Sequence, residues 1–200
     1  PEGMITPFCL GLWNDDQRNA FRPIANFIKK MGSIPAFQLA HSGRKGGTKE
    51  PWRGGLPLDK EDIKNGYKPW TTIAPSAIPL AEGWKVPREM SINDIQKLVK
   101  SYVKTAKLAI SAGFEVLEIH AAHGYLLHSF LSPISNKRTD EYGGCLNARA
   151  KILSDISIEI RNNISENIPL FCRISAVDGI NYGWQIDDSV KLSQILSNVG

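Results

Sequence analysis

FEVLEIHAAHGY, residues 114–125, sets an apolar, β-branched run of strand length directly against two histidines and a tyrosine. Residues 114–119 have the composition of a buried strand. The helix before it shows one apolar face through Ile95, Leu98, Val99, Tyr102, Val103, Ala106 and Ile110. Ser91, with Asp94 three residues on, opens that helix as an acidic capping box, and Ala112 with Gly113 closes it. The same unit recurs on both sides. Upstream, residues 15–30 carry Ala20, Ile24, Phe27 and Ile28 at helical spacing, Met31 and Gly32 end the helix, and a strand follows at 36–39. Downstream, residues 147–164 carry Ile152, Leu153, Ile156, Ile160 and Ile164 before a strand at 170–174. A last helix starts near Asp187, with Val190, Leu192, Ile195 and Leu196. Alternating helices and strands of this kind predict an α/β fold with a parallel sheet and right-handed crossovers. Periodicity alone leaves both a doubly wound sheet and an eight-stranded barrel open.

Composition narrows the function classes. Of 200 residues, 42% are hydrophobic and 22% charged, enough apolar material for one sizeable core. The net charge is +4 and the 24 Lys and Arg are scattered, so no basic stripe for nucleic acid is expected. Cys9, Cys145 and Cys172 are odd in number and far apart, which argues against a disulfide framework and for a reducing, cytoplasmic setting. No run reaches the roughly 18–20 apolar residues of a membrane helix, and no signal-peptide pattern opens the chain, so no membrane association is expected. The first residue is Pro1 and not Met, as in a processed chain or a piece of a longer one. Residues 42–89 are rich in Gly, Pro, Lys and Trp, and prolines at 51, 57, 69, 75, 79 and 87 forbid a long helix. A loop of that length predicts a lid, a subunit contact or a mobile segment.

Polar residues gather where each strand ends: Gln38 with His41, His120 with His123 and Tyr125, and Arg173 with Ser175. In parallel α/β folds this edge is where ligands bind, because the loops converge there. Each residue also has a plainer reading. The histidines serve equally as hydrogen-bonded structural residues, and Gln38 as an ordinary strand-end polar group. Arg173, in an apolar strand, needs a partner in any case, and Tyr125 can cap the core with its hydroxyl outward. A metal site among His41, His120, His123 and His128 would need a further ligand, and the nearest carboxylate, Glu118, can point outward.

Five segments in order carry a resemblance. They are QLAHSGR at 38–44, HAAHGY at 120–125, LSPISN at 131–136, RTDEYGG at 138–144 with Asn147 and Arg149, and FCRIS at 171–175. Pro75, Ser76 and PREM at 87–90 add to them. This set resembles the Old Yellow Enzyme, or NADH:flavin oxidoreductase, family along nearly the whole chain. The resemblance implies a (β/α)8 TIM barrel that holds FMN, takes electrons from NADPH or NADH, and passes them to a small-molecule activated alkene such as an α,β-unsaturated carbonyl. It implies cofactor-binding roles for Gln38, at the pyrimidine edge of the flavin, and for Arg173, near its N1 and C2 carbonyl. It implies catalytic roles for His120 and His123, donating to the substrate carbonyl oxygen, and for Tyr125, protonating the α-carbon. No metal is implied. The 138–144 segment would be a structural turn, and Cys145 stands where a serine or similar small residue is expected, without a redox role.

An eight-stranded barrel typically takes about 250 residues, so residues 1–200 are expected to be the central part of one barrel domain, roughly from the end of strand 2 to helix 5. The N-terminal and C-terminal barrel strands would be lacking, including those that grip the FMN phosphate. Two functional expectations follow: an ene-reductase seen in part, or a catalytically incompetent fragment with at most an interaction role. A homo-oligomer of the full-length form stays open.

Overall fold

The computed structural model describes residues 2–199. Its elements run α1 (Asp15–Lys30), β1 (Ala36–Leu39), α2 (Lys60–Lys64), β2 (Ile73–Ala74), β3 (Arg88–Glu89), α3 (Ile92–Ala112), β4 (Val116–Ala121), α4 (Leu126–Leu131), α5 (Leu146–Asn163), β5 (Leu170–Ile174) and α6 (Ile186–Ser197). Strands β1, β4 and β5 form one parallel sheet in that order, and β2 pairs with β3 apart from it. Each new strand joins on the same side of the last, and α3 packs against both α1 and α5, with α6 against α5. Right-handed crossovers that always step in one direction put every helix on one face, which is the winding of a barrel. A doubly wound sheet reverses its strand order and carries helices on both faces.

The helix-facing side of the sheet is closed. Leu39, Leu117, Ile119 and Ala121 are buried against Ile95, Leu98, Val99 and Ala106 of α3 and Ile152, Leu153, Ile156 and Ile160 of α5. Phe21, Phe37 and Phe114 meet edge to face at 5.0–6.0 Å beneath α1. The opposite side carries Gln38, Glu118, His120, Phe171 and Arg173, set side by side by the register Gln38–Glu118–Phe171 and His120–Arg173. That inner face is largely open: Phe171 is 57% exposed.

Three features differ from the sequence reading. The middle strand starts and ends two residues later than 114–119, at Val116–Ala121. Glu115 and Val116 share the Pro35 carbonyl at its start, while His120 and Ala121 pair with Arg173 and Ile174 at its end. His120 therefore lies within its strand, not after it, as Gln38 and Arg173 do in theirs. In α1, Ile24 and Phe27 point outward at 48% and 61% exposure; Ala25 and Phe21 face the core, because the helix that flanks α1 among the described residues is α3, on one side. Helix α4 was not foreseen, since its six residues are all buried and so show no polar face to mark a period. The capping box of α3 is present: Ser91 Oγ accepts from Asp94 N–H at 3.1 Å and Asp94 Oδ2 from Ser91 N–H at 2.9 Å.

The 42–89 stretch is tied to the barrel wall by Arg138. Its guanidinium donates to the carbonyls of Pro75 at 3.0 Å and Met90 at 2.5 Å while pairing with Asp140. Arg44 adds bonds to the carbonyls of Ile78 and Pro79, and Lys137 N–H one to Ser76 Oγ. At the head of this stretch His41 joins β1 to α4: its carbonyl accepts from Leu126 N–H at 3.0 Å and its Nδ1 from Gly43 N–H at 3.1 Å. Gly43 is obligatory there. It sits at φ +59°, and a Cβ would lie 2.9 Å from Leu126 Cα.

Two stability predictions follow from these contacts. Cys145 is the N-cap of α5, with extended backbone and no side-chain capping bond. Cys145→Ser should supply that bond, adding about 1 kcal/mol and raising Tm by roughly 2–4 °C in thermal unfolding; no rise would mean the hydroxyl does not reach the first turn. Burial pushes the His41 pKa down to about 4. The folded state thus binds fewer protons than the unfolded one below pH 6.5, so stability is full above that value and falls as pH drops toward 4. The loss should be about 2 kcal/mol between pH 7.5 and 5. Urea unfolding at the two pH values should show this slope reduced in His41→Asn, whose amide oxygen still accepts from Gly43.

Candidate functional site

His120 is 5% exposed and lies on the last full turn of the pleat of β4. Its Nδ1 accepts from Ala122 N–H at 3.2 Å, so in the neutral ring the proton sits on Nε2. Nε2 faces Nδ1 of His123 at 3.2 Å. The chain between them turns sharply: His123 adopts φ +58° and Gly124 φ +69°. The left-handed region disfavours a residue with a Cβ by roughly 1–2 kcal/mol. What the turn achieves is contact. It folds the His123 ring back to 5.0 Å from the His120 ring and brings the Tyr125 ring to 5.2 Å from His120.

Three neighbours satisfy the backbone of the turn. Ser175 Oγ accepts from His123 N–H at 2.8 Å, Lys45 Nζ donates to the His123 carbonyl at 2.7 Å, and His128 Nδ1 accepts from Gly124 N–H at 3.1 Å. They come from the loops after β5 and β1 and from α4. Lys45 also lies 5.6 Å above the Tyr125 ring.

Electrostatics keep His120 uncharged. Burial, then the neighbouring His123 and Arg173, hold His120 below the ordinary histidine pKa, and Glu118 opposes them only in part. Burial raises the Tyr125 pKa, so its hydroxyl keeps its proton throughout the neutral range. On the inner face Gln38 Nε2 donates to Glu118 Oε1 at 2.5 Å. A carboxylate only accepts, so this contact fixes which way the amide faces and leaves its carbonyl oxygen for another partner.

His120, His123, Tyr125 and Gln38 line one cavity of about 500 Å³, together with Met4 and Trp13. Arg173 stands next to His120 on the inner face but outside that lining. A larger groove of about 880 Å³ runs between α3 and α5 on the outer surface. It contains no histidine, and the smaller cavity has the convergent polar groups expected of a ligand site. Among the described residues, no cluster of three or more His, Cys, Asp and Glu is arranged to hold a metal ion.

Sequence reasoning did not single out Lys45 or the His128–Asp178 contact of 2.7 Å, and it left Glu118 free to point outward. The register explains the last: Gln38 and Glu118 are directly paired, so both face inward. Lys45 and Asp178 are surface-type residues in loops, and only the juxtaposition of three strand ends brings them to the turn.

The NADH:flavin oxidoreductase / NADH oxidase family matches the chain over residues 1–199. An NADH:flavin oxidoreductase of Gibberella zeae is 40% identical, covering 99% of this chain and 50% of that protein. An NADPH dehydrogenase of Bacillus velezensis is 38% identical, covering 100% of this chain and 53% of that protein. The Old Yellow Enzyme homologue from Zymomonas mobilis superposes with a TM-score of 0.80 at 26% identity, covering 99% of this chain and 54% of that one. The chain thus spans about half the length of the curated relatives it matches, and its sequentially wound sheet is part of a (β/α)8 barrel. With a match along its length and the parallel strands wound in one direction, this chain belongs to the NADH:flavin oxidoreductase / NADH oxidase family.

Proposed function

We propose that this chain carries the substrate-polarising part of an FMN-dependent NAD(P)H oxidoreductase that reduces activated alkenes such as α,β-unsaturated carbonyls. The observation that carries this reading is the convergence of two histidine nitrogens, 3.2 Å apart, beside a protonated tyrosine in one cavity.

The residues present fit a flavin. The Gln38 amide, oriented by Glu118, offers an acceptor to a ring N–H, and Arg173 offers a fixed cation on the same inner face. The flavin, when bound and reduced by NADPH or NADH, supplies the hydride. This chain's residues handle the rest of the charge. A carbonyl oxygen lying between the pair accepts from His120 Nε2–H and from His123 Nδ1–H, so His123 must carry its proton on Nδ1 when a ligand is bound. Two N–H donors then stabilise the oxygen as negative charge gathers on it, in a partly dry site where such bonds are strong. Tyr125 donates its proton to the α-carbon. The free cysteines suit a reducing, cytoplasmic setting. Among the described residues, no helix is long and apolar enough to cross a membrane.

In the full-length protein, His123→Ala should weaken binding of a phenol or enone by roughly 10-fold or more, read from the flavin absorbance on titration. Unchanged affinity would remove His123 from the site. Tyr125→Phe should lower the rate of alkene reduction by about 100-fold while leaving phenol binding intact, and Arg173→Ala should weaken flavin retention.

The open inner face favours a second reading for the 200-residue chain taken alone, that of a piece which does not hold the cofactor and has at most an interaction role. Purified by itself, the chain should carry flavin far below one equivalent. A yellow product near stoichiometry would end that second reading.

A further inference from the structure

Beneath the histidine pair lies a third histidine that the chemistry above does not use. His128, on α4, is 6% exposed. Its Nδ1 accepts from Gly124 N–H at 3.1 Å, which leaves the ring proton on Nε2, and Nε2 donates to Asp178 Oδ1 at 2.7 Å. Asp178 is itself fixed. Its Oδ2 accepts from Ser132 Oγ at 2.6 Å and from Trp184 N–H at 2.7 Å, and its own N–H reaches the Trp184 carbonyl at 2.8 Å. Trp184 is 1% exposed and donates from its indole to Ser189 Oγ at 2.7 Å. Gly183 allows the close approach: a Cβ there would lie 2.7 Å from Asp178 Oδ2. A rigid chain of bonds thus runs from the start of α6, through a carboxylate and a neutral imidazole, to one backbone N–H next to the strained His123.

We propose that His128 and Asp178 form a positioning couple that sets the His123–Gly124 turn, and that protonation of His128 releases it. The logic lies in the ring's two ends. Neutral His128 presents a lone pair to Gly124 N–H. A proton taken from solvent can bind only at Nδ1, since Nε2 already carries one, and it turns that contact into donor against donor. The turn then loses the bond that holds Gly124, and His123 loses its alignment with His120. The charged and titratable groups facing His128 are Asp178 from the β5–α6 segment, Lys45 from the loop after β1 and His123 from the turn; Arg44 acts behind Asp178. Burial, Lys45 and His123 disfavour the added proton, and Asp178 favours it. The turn is therefore set at neutral pH and released only under acid conditions. The geometry stands apart from the proposed function; the consequence for ligand binding rests on the reading of His120 and His123 as the polarising pair.

The test is an NMR titration of the 15N-labelled chain, following the Gly124 amide and the ring nitrogens of all four histidines. As the His128 ring takes up its proton, the Gly124 amide should shift in the same step and lose roughly tenfold or more of its exchange protection, and the His123 ring signals should move with it. The amides of Leu117 and Ile119 should stay protected. His128→Asn keeps an acceptor for Gly124 N–H but does not titrate, so protection should persist and the step should vanish. A Gly124 amide that stays flat while His128 titrates, or a step that survives in His128→Asn, overturns the proposal. Should acid unfold the whole chain first, the comparison moves to about pH 7.5. There His128→Leu should lose Gly124 protection that His128→Asn retains, and equal protection in the two overturns the proposal. In the flavin-loaded full-length protein, His128→Leu should bind 4-hydroxybenzaldehyde roughly tenfold more weakly, with His128→Asn restoring most of the affinity. If the Gly124 step holds while this affinity is unmoved in both variants, the positioning stands and the role assigned to the histidine pair falls.

Discussion

His123 holds a backbone conformation that its own Cβ disfavours, and the ligand-facing end of the chain is built around keeping it there. Its N–H, its carbonyl and the next N–H each have a partner, from a different part of the chain. No single loop can supply all three. They meet because β1, β4 and β5 are adjacent, parallel and in sequential order, which stacks their C-terminal ends at one height. Close approach matters as much: Gly43 lets the loop after β1 lie against the start of α4, where a side chain would collide with Leu126. The sheet register, a property of backbone pairing, thus fixes the distance between two imidazole rings.

The same register makes the inner face polar. Gln38 and Glu118 bond to each other, and Arg173 stands one strand across from His120. A covered barrel interior is normally filled by branched apolar side chains, and polar groups placed there need partners. An amide oxygen and a guanidinium on that face therefore suit a polar ligand better than a packed core. The neutral state of His120 belongs to this balance. Burial, with His123 and Arg173 close by, pushes His120 toward neutrality, so it acts through an N–H donor and not through net charge.

Much of this was legible in the sequence, and the reasons differ by element. The first and third strands and α1 fall where periodicity and turn residues put them, because each combines a run of clear period with a breaker such as Gly32. The middle strand slipped by two residues because its limits are set by pairing partners, Pro35 at one end and Ile174 at the other, which local sequence does not contain. Helix α4 is invisible to periodicity because it is buried all round. At the site, the histidines and Tyr125 stand out by type and position, and QLAHSGR and HAAHGY point to one another only through the family resemblance. Of the groups that hold the turn, Ser175 stands out as a strand-end residue and His128 only as one histidine of four, while Lys45, and Asp178 behind His128, look like ordinary surface residues until three strand ends are brought together.

Stability and chemistry lie on opposite faces of the sheet. Leu117, Ile119, Ile152 and Ile156 are at most 1% exposed, and with α3 and α5 they form a closed apolar layer that holds the strands whatever the inner face does. Strained or polar features are therefore tolerable on the other side, where they take nothing from that layer. His128 bridges the two regimes. It sits on a wholly buried helix, yet one of its two ring bonds ends on the Gly124 amide, so packing of α4 is converted into the placement of a turn. A leucine at 128 could fill the same volume and satisfy the packing, but it would leave Gly124 N–H and Asp178 without their partner. Burying a titratable ring where an apolar residue would pack as well makes physical sense only if its hydrogen bonds matter, and both of them point along the line from α6 to His123.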